Sequence, residues 1–103
     1  MINTHLIGLM KPNAIFINTA RGPIVDSAAL ADALNQGKIA GAGVDVFEME
    51  PPIPEDHSLV TAKNTLLTPH VAFATKEALE RRAAIVFENT FGWLRREIKN
   101  EIC

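Results

Sequence analysis

The sequence predicts an α/β fold: part of a larger doubly wound parallel sheet, with about three strands, intervening helices and a long final helix. Three observations carry this. Continuous apolar runs at Ala14–Asn18 and Ile39–Phe47 have the composition of strands buried on both faces. Helical periodicity separates or follows such runs, and strands alternating with helices imply parallel pairing through right-handed crossovers. Three strands make a thin sheet, so doubly buried strands here imply membership of a larger domain.

Each element has its own signals. Asn3 is a helix N-cap for a short helix through Leu6, Ile7, Leu9 and Met10, which Lys11-Pro12 ends. After the first strand, Thr19-Ala20-Arg21-Gly22-Pro23 marks a loop. Asp26 caps a helix from Ser27 to Gln36, with Leu30 and Leu34 on one face and Gly37 where a left-handed C-terminal cap belongs. In the second strand the small residues Ala40 to Gly43 suggest close packing above it. Glu50-Pro51-Pro52-Ile53-Pro54 is irregular, because its prolines fix φ and lack donors. Thr65–Thr68 reads as a short third strand ending at Pro69. Thr75 caps a helix to about Arg96, whose residues Leu79, Ala83, Val86, Phe87, Thr90 and Leu94 form an apolar stripe.

Composition narrows the function classes. The 103 residues are 48% hydrophobic and 21% charged, with a net charge of −2. Such a balance is expected of a globular chain and gives no basic footprint for nucleic acid. No apolar run reaches the ~18 residues that cross a bilayer, and no signal-peptide pattern opens the chain. One cysteine, Cys103, makes no internal disulfide, so a cytoplasmic location is expected.

In open parallel sheets, ligands bind beyond the carboxyl ends of the strands. Arg21 follows the first strand, Asp45 and Glu50 the second, and His70 the third. Arg21 presents a planar donor fork suited to a carboxylate and an adjacent carbonyl. His70 exchanges a proton near neutral pH, and a nearby carboxylate such as Glu50 favours its charged form. Taken singly, each also fits a structural role: a surface arginine, a loop histidine, a solvated glutamate, an aspartate capping a turn. Their convergence at one rim is what marks a site. Gly41-Ala42-Gly43 imitates the start of a dinucleotide fingerprint, but Val46 stands where the next glycine is required. His5, His57 and His70 lack metal-ligand spacing, so no metal site is expected.

The segments Asn18-Thr19-Ala20-Arg21-Gly22, Gly43-Val44-Asp45-Val46-Phe47-Glu48-Met49-Glu50-Pro51 and Thr68-Pro69-His70-Val71-Ala72 resemble, in order and spacing, those of D-isomer-specific 2-hydroxyacid dehydrogenases. The likeness covers nearly the whole chain and leans weakly toward phosphoglycerate- or glycerate-dehydrogenase-like members. It implies a Rossmann-type NAD-binding domain and hydride transfer between NAD(H) and a small 2-hydroxy or 2-keto acid. It also implies Arg21 as the substrate-binding arginine, Glu50 as the carboxylate paired with the histidine, and His70 as the general acid/base. Thr19, Ala20, Arg21, Asp45, His70, Ala72 and Phe73 would line the nicotinamide end of the cofactor.

The family's glycine-rich fingerprint has no counterpart in residues 1–103. The expectation is therefore a partial NAD-binding domain, with about 97–103 starting the return to the substrate domain, and no turnover by this chain alone. Arg96 and Ile98 also depart from the glycine and proline common among relatives. A partial domain is expected to associate, as a homo-oligomer or through an exposed sheet edge. The alternative reading is a non-catalytic NAD-sensing or corepressor-like interaction module.

Overall fold

The computed structural model describes residues 1–100, so the Cys103 expectation and the end of the proposed return segment lie outside the described residues. The chain forms two compact units, one of Met1–Ala72 and one from Phe73 onward.

The first unit contains α1 (Thr4–Gly8), β1 (Ile15–Asn18), a 3₁₀ turn (Gly22–Ile24), α2 (Ser27–Asn35), β2 (Gly41–Val44) and β3 (Thr65–Leu67). The sheet is parallel, in the order β1-β2-β3. Asn3 and Asp26 cap their helices as expected, accepting from the Leu6 and Ala29 N–H groups. At the end of α2, Gly37 adopts φ +66 while Gly37 and Lys38 donate to the Leu34 and Ala33 carbonyls, the two bonds of a Schellman stop.

Leu30 and Leu34 of α2 pack with Ile39, Ala42, Val44 and Leu59 to form the core beneath one face of the sheet. The opposite face corrects the expectation of doubly buried strands. Ile15, Ile17 and Leu66 are 66%, 70% and 71% exposed. They share a face because Ile17 registers with Gly43 and Leu66, and side chains alternate along a strand. The helices of this unit contact each other on the α2 side, which leaves that face and the outer edge of β1 uncovered within the unit.

β2 is also shorter than the expected Ile39–Phe47. Its ladder ends where its four-residue partner β1 ends, and the Asp45 N–H closes it by donating to the Asn18 carbonyl. Residues 45–64 then connect β2 to β3 without a helix. A connection of this length with no regular structure is usually a functional loop.

The second unit is α3 (Lys76–Leu94), capped by Thr75 through the Ala78 N–H. Leu79, Val86, Phe87 and Leu94 of its apolar stripe are exposed, so the stripe is not a buried packing face in this chain. Arg96 takes the left-handed position after the helix at φ 62, where glycine is normally favoured, and Glu97 donates back to the Gly92 carbonyl.

Candidate active site

A cavity of about 530 Å³ opens at the carboxyl ends of the three strands. Its walls bring together Arg21, Asp45, Glu50 and His70, the residues that the strand ends single out, among apolar groups that include Phe47, Ile53, Val60 and Leu67. Thr19, Ala20 and Ala72 do not line it, and Phe73 begins the second unit, where the Arg82 guanidinium lies 5.5 Å from its ring centroid. Among the described residues there is no cluster of His, Cys, Asp or Glu fit to hold a metal ion.

Arg21 is exposed on a turn that Asn18 builds. The buried Asn18 amide oxygen accepts the Ala20 N–H at 3.1 Å, and its Nδ2 donates to the Arg21 carbonyl at 3.1 Å. Asparagine suits this position because its side chain both donates and accepts over two or three residues. The guanidinium folds back to donate to the Ala20 carbonyl at 2.6 Å.

His70 sits in the left-handed region at φ 56. For a non-glycine residue that conformation costs about 1–2 kcal/mol. Asp45 holds it there. The Asp45 carbonyl accepts the His70 N–H at 2.9 Å, and its carboxylate accepts the Val71 and Ala72 N–H groups at 2.8 and 2.9 Å, with the Thr68 hydroxyl as a further donor. Asp45 itself is only 3% exposed. Its burial works against the charged form, yet the hydrogen bonds from Thr68, Ala72 and Val71 and the nearby His70 charge prevail and hold its carboxyl below the usual range.

The sequence reading pairs Glu50 with His70. Both residues line the cavity, and the carboxylate–imidazole pair that the structure forms is Glu48–His57, with Nε2 to Oε1 at 3.0 Å. Ser27 donates to the other Glu48 oxygen at 2.7 Å. Burial again opposes the Glu48 charge, while the bonds from Ser27, its own backbone and His57 hold its carboxyl below the ordinary value. These residues, with Asn18, Gly22 and Thr68, form the support that the sequence reading did not identify.

Residues 1–72 match the family described as D-isomer specific 2-hydroxyacid dehydrogenase, NAD binding domain. The chain belongs to this family. A glyoxylate reductase of Thermococcus litoralis is 50% identical over 99 residues, covering 91% of this chain and 29% of that protein. Among solved structures, the NADPH-dependent glyoxylate/hydroxypyruvate reductase of Sinorhizobium meliloti, in complex with citrate, aligns with TM-score 0.78 and 41% identity over 90% of this chain and 29% of that one. The NAD-complexed D-isomer specific 2-hydroxyacid dehydrogenase of Lactobacillus delbrueckii ssp. bulgaricus aligns with TM-score 0.81 and 32% identity over 97% and 34%. The chain thus spans less than a third of the length of the curated glyoxylate reductases it matches. Relatives in the dehydrogenase family include both NAD-complexed and NADPH-dependent members. No helix among the described residues is long and apolar enough to cross a membrane.

Proposed function

We propose that this chain supplies the catalytic residues and the nicotinamide end of the cofactor site in a reductase of small 2-keto acids. The observation that carries the reading is that one cavity, beyond the ends of three parallel strands, gathers Arg21, Glu50 and His70. A concave site with apolar walls and a few convergent polar groups suits a flat, half-apolar nicotinamide ring beside a small anionic substrate. Within the first unit, Thr19, Ala20, Arg21, Asp45, His70 and Ala72 are the residues proposed along the cofactor. NAD is the proposed dinucleotide, and glyoxylate and hydroxypyruvate are the first substrates to try, from the relatives' names. A cytoplasmic setting fits the single cysteine.

When bound, the reduced dinucleotide supplies the hydride. Arg21 orients the keto acid by pairing its guanidinium with the carboxylate and adjacent carbonyl, which also draws electron density from the reacting carbon. His70 delivers a proton to the carbonyl oxygen, and Glu50 is the carboxylate proposed to orient its ring. The apolar wall of Phe47, Ile53 and Leu67 limits water at the reacting centre. For the isolated 103-residue chain, the uncovered sheet face and the edge of β1 support self-association.

Steady-state kinetics of the protein at its full natural length, with NADH and NADPH in separate arms, test the reading. His70→Ala is expected to lower kcat by ~10²–10⁴-fold. Arg21→Lys is expected to raise KM, because an ammonium lacks the bidentate fork. Near-normal turnover by His70→Ala would overturn the assignment.

A further inference from the structure

The long connection between β2 and β3 carries Glu50, yet it contains no helix and makes no ladder to hold it. Leu59 seats its later part in the core and the Lys63 N–H donates to Asn35 Oδ1, while two further features fix the part around Glu50. One is a close backbone approach: a Cβ on the buried Gly22 would lie 1.9 Å from the Phe47 carbonyl carbon, so the connection crosses directly over the turn that bears Arg21. The other is a chain of side-chain hydrogen bonds. Ser27 Oγ donates to Glu48 Oε2 at 2.7 Å, and His57 Nε2 lies 3.0 Å from Glu48 Oε1.

His57 has a defined tautomer. Its Nδ1 accepts the Leu59 N–H at 3.2 Å. The proton of the neutral ring is therefore on Nε2 and is donated to Glu48. The ring is buried and meets Phe47 edge-on, with centroids 5.4 Å apart at 87°. Ser27 begins α2, which the core holds through Leu30 and Leu34. The chain therefore ties both sides of Glu50, at Glu48 and at His57, to a rigid helix.

We infer that Ser27, Glu48 and His57 form a bracket that sets the position of Glu50 against Arg21 and His70, and that His57 is a positioning residue for catalysis. This rests on the reductase reading given above. Because Glu50 acts on the proton donor and Arg21 on the substrate, loosening the bracket lowers kcat and leaves substrate binding largely in place. Glutamine at position 57 reproduces the Nε2 donor, whereas leucine keeps the volume and removes it.

The test uses the protein at its full natural length, with kinetics, melting temperature and backbone order parameters measured on the same preparations. In His57→Leu, kcat is expected to fall by about tenfold to a hundredfold with KM within about twofold, the scale set by misplacing a catalytic group by roughly 1 Å. Order parameters at Met49 and Glu50 fall from ~0.85 toward ~0.6, and His57→Gln restores both readouts. Should His57→Leu fail to fold, Ser27→Ala, which removes only the Ser27–Glu48 hydrogen bond, carries the same two readouts with smaller changes expected. Unchanged kcat and unchanged order parameters in the folded variant would overturn the bracket. A fall in kcat that tracks loss of melting temperature, with no rescue by glutamine, would reduce His57 to a structural residue. His70→Ala is run alongside: retained turnover there would sink the reductase reading, while the order parameters still decide the bracket.

Discussion

Gly22→Ala is the sharpest test of how the rim is assembled. The added methyl would sit 1.9 Å from the carbonyl carbon and oxygen of Phe47 and 2.3 Å from the Glu48 nitrogen. Ordinary carbon contacts lie near ~3.5 Å, so the two chain segments must separate by roughly 1.5 Å. All three atoms are backbone, and a backbone cannot swing aside as a flexible side chain can. Overpacking of this kind costs about 1–3 kcal/mol. Here the upper end is expected, because Glu48 also loses its alignment with Ser27 and His57. For a unit of this size that corresponds to a drop in melting temperature of roughly 12–24 °C. Thermal unfolding by circular dichroism reads it directly, with Gly8→Ala as the control, since a Cβ there meets nothing within 4 Å. A Gly22→Ala melt within about 2 °C of wild type, against the ~4–8 °C per kcal/mol expected, would refute the close approach.

Two further outcomes are expected. Asp45 and Glu48 both carry lowered pKa values. Their stabilisation is therefore complete above their unfolded values of about 4–4.5 and is lost as pH falls through the folded ones. Melts between about pH 6 and 3 should show a shallower acid decline in Glu48→Gln than in wild type, and identical slopes would contradict the bracket's charge. The 103-residue chain should associate in a concentration-dependent way by light scattering, and Ile17→Lys, placed on the uncovered face, should weaken that association. A concentration-independent monomer would count against association through that face or edge.

The legible parts of the fold are those written in local sequence. Asn3, Asp26 and Thr75 stand where side-chain oxygens meet the first free N–H groups of their helices, and Gly37 stands where the chain must turn left-handed. The rim was legible for a related reason: strand ends are readable, and a parallel sheet brings them to one side. What was not legible depends on partners distant in sequence. Ser27 and Glu48 are 21 positions apart, and nothing local distinguishes Glu48 from Glu50 as a histidine's partner or His57 from His70 as the buried ring. Gly22 reads as a loop residue until the Phe47 backbone is seen crossing over it. The apolar run of β1 reads as a strand covered on both faces, yet Ile15 and Ile17 share a face that is exposed, because composition does not say what, if anything, covers it.

Each exposed residue of the candidate site therefore hangs on a buried or bonded neighbour. Asn18 shapes the Arg21 turn, Asp45 holds the His70 turn, and Glu48 with His57 flanks Glu50. This division has a physical reason. A group that binds an anion or moves a proton must reach solvent or substrate, and a solvated side chain on a loop has little of its own to fix it. The anchor supplies the ordering, and where it is buried, as Asn18, Asp45 and His57 are, its hydrogen bonds are stronger for being shielded from water. The strained φ of His70 persists because Asp45 accepts on both sides of it, through its carbonyl and its carboxylate. Asp45 and Glu48 titrate below the usual carboxylate range, so both anchors remain ionised across the neutral range where imidazole exchanges its proton. Proton transfer can then change the charge of the working group without releasing the group that positions it.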